Sequence, residues 1–379
     1  MASLKQRPDG VWRARYRDAN GKEHARHFKL KRDGQRWLDE VATSIVTGQY
    51  VAPRAGRITF QEYATTWLQS QVHRQSTAAL YEGHLKRHAY PVLGALPLEA
   101  VLPSQVQGWV RGLTVETEER AALAPATVQV VYRVAASVFR AAVKDRRIAV
   151  SPCQGIKLPE VVKARVRPMT TAQVDILAAE MPAELRALVT LTAGTGMRQG
   201  EVFGLTRDRL RLLGKSPTVT VDRQLVTGER GATTFGPLKT KASYRTIPLP
   251  RVVVDALNAH IATYEIGATD LLFTLDGKGL TRQKFGHVWR PAAAAAGLND
   301  ETGKGMHALR HYYASLLIRY GESVKTVQDR LGHKSATETL DTYGHMWADS
   351  DDRTREAVDT VLGAPREDSA DSTRTKKPS

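Results

Sequence analysis

Cysteine occurs once in the 379 residues, at Cys153. That count excludes an intramolecular disulfide and speaks against a cysteine-based zinc site. Long apolar runs are missing too. No segment approaches the roughly 18 apolar residues that span a bilayer, and the opening MASLKQRPDGVWRARY lacks an apolar stretch of signal-peptide length. The expectation is a soluble chain with no membrane role, kept in a reducing cytoplasm. Acidic residues form the third shortage, with 39 Asp plus Glu against 55 Lys plus Arg, for a formal charge of +16. Such an excess suits a polyanionic partner, most commonly nucleic acid. A basic enzyme unrelated to DNA has the same balance.

The 42% hydrophobic content supplies real cores, and the length suits two or three domains. Residues 1–55 read as a small module and its linker. In VWRARYRDANGKEHARHFKL, Trp12, Ala14 and Tyr16 fall on one face and Val11, Arg13 and Arg15 on the other, and Asn20-Gly21 is a hairpin signal. QRWLDEVATSIV places Trp37, Leu38, Val41 and Ile45 at helical spacing. A short antiparallel sheet backed by one helix is expected, with arginines on its exposed face. A major groove admits such a basic ribbon; a merely solvated face has the same pattern. Residues 56–155 read as all helical, starting where Thr59 precedes the stripe Phe60, Tyr63, Ala64, Trp67 and Leu68. A Pro-bearing basic linker follows. Residues 165–362 read as mostly helical with a small antiparallel insert, its strands being TVTVDRQLV and ASYRTIPLP with Lys239 at the turn between them. Residues 363–379 lack hydrophobic anchors and read as disordered. The fold class expected is therefore α+β and multidomain.

The chemistry concentrates near the C-terminus. LGHKSATETLDTYGH holds His333 and Tyr343, with Ser335 and Glu338 spaced as a capping box for the helix bearing the tyrosine. MHALRHYYASLLIRYG puts His307 and Arg310 at i and i+3 on one helix face. His307 is preferred over His311 because Arg310 completes H-x-x-R from it. TAGTGMRQGEVFGL contributes Arg198, and PLKTKASYRTIPLP contributes Lys239, with Lys241 as the alternative. Guanidinium offers a planar, permanently charged fork for phosphate. A tyrosine can attack phosphorus and store the bond energy in a covalent intermediate, but a phenol of pKa about 10 needs help at neutral pH.

The order and contexts of these motifs resemble the tyrosine recombinase family, more narrowly the phage-type integrases, over essentially the whole chain. The resemblance implies an arm-type DNA-binding module at 1–55, with Arg13, Arg15 and Arg17 as DNA contacts. It implies a helical core-binding domain at 56–155 and a catalytic domain at 165–362. Tyr343 is then the nucleophile that forms a 3′-phosphotyrosine, supported by Arg198, Lys239, His307, Arg310 and His333, with no metal and no cofactor. Lys239 would protonate the leaving oxygen. The implied activity is site-specific recombination of double-stranded attachment sites by a homotetramer through a Holliday junction, integrating or excising mobile DNA. A DNA-bending protein and a directionality factor are implied partners, and the nucleoid of a bacterial host the place of action. The rival reading is a DNA-binding regulator that keeps the fold without strand exchange.

Overall fold

A computed structural model describes residues 2–362 apart from 19–20, 49, 119, 163–165, 229–230, 265–269, 300–302 and 348–350. Asn20 of the hairpin signal and the 363–379 tail lie outside the described residues. The chain divides into two compact units, Met1–Val162 and Lys163–Ser379.

The first unit contains two separate hydrophobic cores. The smaller belongs to strands β1 (Ser3–Gln6), β2 (Trp12–Arg17) and β3 (Glu23–Phe28), an antiparallel sheet in that order, and to helix α1 (Lys31–Val46). Alternation along β2 buries Ala14 and Tyr16 against Leu38, Trp37 and Val41, and Tyr16 hydrogen-bonds Tyr50 through their hydroxyls at 2.9 Å. Arg13, Arg15 and Arg17 leave the opposite face. All three converge on Glu23, at 3.4, 3.6 and 3.6 Å. Exposed pairs of this kind contribute about 0–1 kcal/mol each, so a stronger anion can displace the carboxylate.

The larger core is helical: α2 (Phe60–Ser70), α3 (Gln75–His84), a π-helical segment Leu85–Ala89 running into α4 (Tyr90–Leu93), α5 (Pro103–Leu113) and α6 (Pro125–Lys144). No strand occurs among the described residues of this stretch. Thr59 starts α2 with a full capping box: its hydroxyl accepts from the Glu62 N–H, and the Glu62 carboxylate accepts from the Thr59 N–H. Phe60 stacks on Phe139 at 4.9 Å, and the Tyr63 hydroxyl donates to Asp145 at 2.6 Å. Helix α6 is long and apolar enough to cross a membrane by length and composition alone. Its apolar face, including Val128, Val131, Val138 and Phe139, is however buried in this core, while Arg133, Arg140 and Lys144 are exposed on the other side.

The second unit begins with α7 (Thr171–Glu180), α8 (Arg186–Thr195) and α9 (Gln199–Phe203), followed by β4 (Leu210–Arg211), β5 (Thr218–Val221), β6 (Gln224–Thr227), β7 (Thr233–Gly236) and β8 (Arg245–Pro248). Helix α10 (Arg251–Thr263), the hairpin β9 (Thr274–Leu275) and β10 (Lys278–Gly279), and helices α11 (Arg282–Ala295), α12 (His307–Arg319), α13 (Val324–Leu331), α14 (Ala336–Tyr343) and α15 (Asp351–Leu362) complete it. Strands β4, β5 and β8 form one antiparallel sheet, and β6 and β7 form a separate hairpin.

This corrects the expected insert in two places. The single strand expected over 218–226 breaks at Asp222 and Arg223, where the Asp222 carboxylate accepts from Arg223 at 2.9 Å and forms an ion pair with Arg209 at 2.8 Å. Strands β5 and β8 do pair, but the segment joining them is not a single turn: the β6–β7 hairpin intervenes, and Lys239 follows β7. The strand β7, TTFG, escaped notice because neither of its faces is fully buried.

Two glycines bring the ends of α8 and α13 toward α12 and the β8 segment. Gly196 and Gly332 cap those helices at φ +63° and +65°, the left-handed region that a Cβ disfavours. A Cβ at Gly196 would lie 2.5 Å from the Tyr313 ring, and one at Gly332 3.0 Å from the Ala242 carbonyl oxygen. Gly277 has a similar φ of +69° with nothing within 4 Å. Gly277→Ala should therefore cost only the backbone term, about 1–2 kcal/mol. Gly196→Ala should cost clearly more, because the ring must also move. Urea unfolding of the two variants checks this, and equal losses would contradict it.

Candidate active site

Gly196 ends α8 and lets the chain turn at once into α9, so Arg198 stands at the junction. The Glu201 carboxylate, one turn into α9, accepts from the Arg198 N–H at 2.8 Å and from Arg198 Nη1 at 3.0 Å. Its second oxygen also accepts from Arg245 Nη2 at 2.9 Å. Glu201 is 3% exposed. Burial alone would raise its pKa, but Arg245 and then Arg198 more than offset this and hold it below the usual carboxylate range. Arg245 is further fixed by donating to the carbonyls of Arg330 and Ser243, both at 2.8 Å.

Arg198 Nη2 donates to the Gly332 carbonyl at 2.8 Å, tying α9 to the end of α13. Arg310, on the first turns of α12, reaches across the same gap. Its Nη1 and Nη2 donate to the carbonyls of Gly196 and Leu331, each at 2.7 Å. Only 2% of Arg310 is exposed. Burial first, and Arg198 second, pull its pKa down to about 9, which still leaves it cationic at neutral pH. Three guanidiniums thus crowd one place, and Glu201 is the carboxylate that binds two of them.

The Gly332 cap also aims the next residue. The His333 N–H donates to the Gln328 carbonyl, and His333 Nδ1 lies 2.8 Å from the Thr339 hydroxyl. Ser335 caps α14 by accepting from the Glu338 N–H, but the Glu338 carboxylate accepts from the backbone N–H of Lys334 rather than closing the expected box on Ser335. Tyr343 ends α14. It is 1% exposed, its ring parallel to that of His333 at 6.4 Å and its hydroxyl oxygen 2.7 Å from His311 Nδ1. Burial pushes its pKa up to about 12 against the opposing pull of Arg310. His333, His311 and His307 are all held below the ordinary imidazole value, in each case by desolvation first. Arg310 is the next cause for His333 and His307, and His307 for His311.

The structure therefore brings Arg198, His307, Arg310, His333 and Tyr343 to one place. Lys239 is exposed and joins through its neighbours: Thr240 bonds Ser243 at 3.0 Å, and the Ser243 hydroxyl accepts from Arg198 Nη1 at 3.3 Å. Lys241, also exposed, opens the short 3₁₀ turn Lys241–Ser243. Arg13, Arg15 and Arg17 belong to the other unit. Sequence reasoning missed Glu201, Arg245, Ser243 and Thr339 and set His311 aside. The i, i+3 spacing of Arg198 and Glu201 was a usable signal; Arg245 had none. Among the described residues no group of histidine, cysteine and carboxylate side chains is arranged to hold a metal ion.

Replacing Glu201 by Gln should leave the two guanidiniums uncompensated and cost about 3–5 kcal/mol of unfolding free energy at neutral pH. Because the folded-state pKa of Glu201 is lowered, its contribution is present above the ordinary carboxylate pKa and is lost as pH falls through the folded value. The stability gap between wild type and Glu201→Gln should thus shrink in acid. Denaturant unfolding from pH 7 downward reads this directly, and a gap that widens in acid would contradict it.

Residues 167–349 match the phage integrase family. The integrase of Mycobacterium phage L5 is 27% identical over 347 residues, covering 87% of this chain and 90% of its own. Among solved structures, the Tn1549 transposon integrase in complex with a circular intermediate DNA superposes with a TM-score of 0.67 at 19% identity, over 80% of this chain and 99% of its own. A lambda integrase tetramer bound to a Holliday junction gives 0.55 at 19% identity, over 88% and 96%. With the matched span holding every residue of the cluster built above, residues 167–349 of this chain are a domain of the phage integrase family.

Proposed function

We propose that this recombinase cuts and rejoins double-stranded attachment sites, with Tyr343 as the nucleophile. The observation that carries the reading is a buried tyrosine set against a buried surplus of guanidinium charge. Each buried cation costs several kcal/mol unless compensated, and Glu201 answers only part of that charge. A phosphodiester supplies the missing anion. Arg198 and Arg310 each keep N–H donors beyond those given to carbonyls, so they can hold the non-bridging oxygens as charge develops. With the Thr339 hydroxyl donating to His333 Nδ1, Nε2–H is the donor left for the phosphate. His307, the exposed neighbour of Arg310 on α12, completes that face.

In the cutting step, Tyr343 Oη bonds to phosphorus, the bond to the 5′-oxygen breaks, and Lys239 gives that oxygen its proton. The 3′-phosphotyrosine keeps the bond energy for rejoining. All groups named lie on one chain, which supports cleavage by each protomer's own tyrosine. The domain reading stays threefold: an arm-type module at 1–55 that binds a second DNA site through Arg13, Arg15 and Arg17, a core-binding domain at 56–155, and a catalytic domain at 165–362. On α6, Arg133 and Arg140 line an open cavity of about 820 Å³ with Tyr81 and Tyr132, a surface suited to backbone phosphates. Two facts support a tetramer working through a Holliday junction on a bacterial chromosome, with a bending protein and a directionality factor as partners. They are the family membership and the lambda assembly.

A nicked suicide substrate tests the core of this reading. Wild type should form a covalent protein–DNA adduct, and Tyr343→Phe should form none while keeping its DNA affinity. Arg310→Lys should lose about 10²–10³-fold in rate, since an ammonium cannot replace the planar fork. DNA binding without adduct by wild type would favour the non-cutting regulator.

A substrate with a 5′-phosphorothiolate needs no proton on its leaving group. It should restore cleavage to Lys239→Ala, whereas Lys241→Ala should need no rescue; the reverse pattern transfers the role to Lys241.

Deleting residues 1–55 should leave crossover-site binding and suicide cleavage in place, with a shallower salt dependence. Recombination between sites carrying arm sequences should be lost. Footprinting that shows no protection lost outside the crossover site would instead make the module a protein contact.

A further inference from the structure

The cutting step leaves one proton unassigned, the one on the Tyr343 hydroxyl. Arginine has no acceptor site, so neither Arg310 nor Arg198 can take it. The His333 ring is parallel to the phenol at 6.4 Å, and its Nδ1 is engaged by Thr339. His307 meets the neighbouring imidazole instead, edge to face with His311 at 4.7 Å. Among the described residues the group within hydrogen-bond distance of the phenol oxygen is His311 Nδ1, at 2.7 Å, with the rings inclined at 66°. His311 lies on α12 directly after Arg310, so the helix that holds the phosphate-binding guanidinium also fixes this imidazole against the nucleophile.

We propose that His311 is a catalytic base: as the Tyr343 Oη–P bond forms and the P–O5′ bond breaks, the phenolic proton passes to His311 Nδ1, giving an imidazolium that returns the proton on rejoining. This rests on the assignment of Tyr343 as nucleophile. The environment supplies the protonation states. Desolvation, then His307 and Arg310, hold His311 near about 4, so it is neutral and able to accept at physiological pH. Burial holds the phenol protonated. Transfer in the resting site is uphill. It becomes feasible as the phenol oxygen commits its electron pair to phosphorus and the DNA phosphate places negative charge beside the imidazole.

The test is single-turnover cleavage of the nicked suicide substrate. His311→Asn keeps a polar group near the Nδ1 position but cannot hold the proton. It should lose about 10²–10⁴-fold in cleavage rate, the usual contribution of general-base catalysis, with DNA affinity unchanged. Placing 2,3-difluorotyrosine at position 343, a more acidic phenol, should recover at least about tenfold of the loss in His311→Asn while changing wild type little. The same substitution should not recover His307→Asn. A purely positioning role for His311 would give a loss that fluorination leaves untouched, and that result overturns the proposal, as does a His311→Asn rate within about threefold of wild type. His311→Gln, read by the same recovery, serves if the Asn variant does not fold. If wild type itself forms no adduct, the nucleophile assignment fails first, an outcome separable from failure of the base.

Discussion

The hydrogen-bonded bridge from Arg198 through Glu201 to Arg245 is the contact on which the rest of this site depends. Glu201 and Arg245 are buried and Arg198 half-buried, so the two cations would be costly without the carboxylate, and the bridge joins segments that are distant in the chain. Through Arg198 it reaches the end of α13 at Gly332, and through Arg245 it reaches Arg330. Arg310 then spans from Gly196 to Leu331. Backbone carbonyls, rather than carboxylates, accept most of the other hydrogen bonds that these guanidiniums make. A carbonyl dipole orients an arginine without neutralising it, so the site is kept rigid and still short of negative charge. That is the electrostatic state a phosphodiester can complete.

A second constraint follows from burying the tyrosine. Water is excluded from the phenol, which strengthens every nearby charge but also stabilises the protonated, unreactive form. The same desolvation lowers the three surrounding imidazoles, so they enter the reaction neutral, able to accept or donate a proton without prior titration. Raised phenol and lowered imidazole values share desolvation as their largest cause. They also imply that the bound DNA phosphate sets the working protonation states as much as the protein does.

Much of the helical frame was legible in the sequence, because helix signals are local. Thr59 caps α2, the helix it was expected to begin, and the stripe from Phe60 to Leu68 lies within it. The alternation of Trp12 to Arg17 likewise placed the arginines on the open face of β2. The insert was harder. Nothing in TVTVDRQLV signals that Asp222 will turn aside to hold Arg209, and TTFG has too little buried surface to announce a strand. The residues around Tyr343 divide the same way. Arg198, His307, Arg310 and His333 stood out through short motifs. Arg245, Ser243 and Thr339 act through partners far along the chain or through a hydroxyl with no distinctive context. His311 was visible but ranked below His307, because H-x-x-R spacing speaks about one helix face. Its contact with Tyr343, 32 residues away, is a property of how α12 and α14 pack.

Covalent chemistry should pass through the tyrosine at the end of α14 and through no other. Tyr312 and Tyr313 lie close by on α12, both largely buried, so identity matters. Trapping the full chain on a nicked substrate, digesting the adduct and locating the nucleotide by tandem mass spectrometry decides it. The modification is expected on Tyr343 alone. A nucleotide on Tyr312, Tyr313 or any other side chain would contradict it.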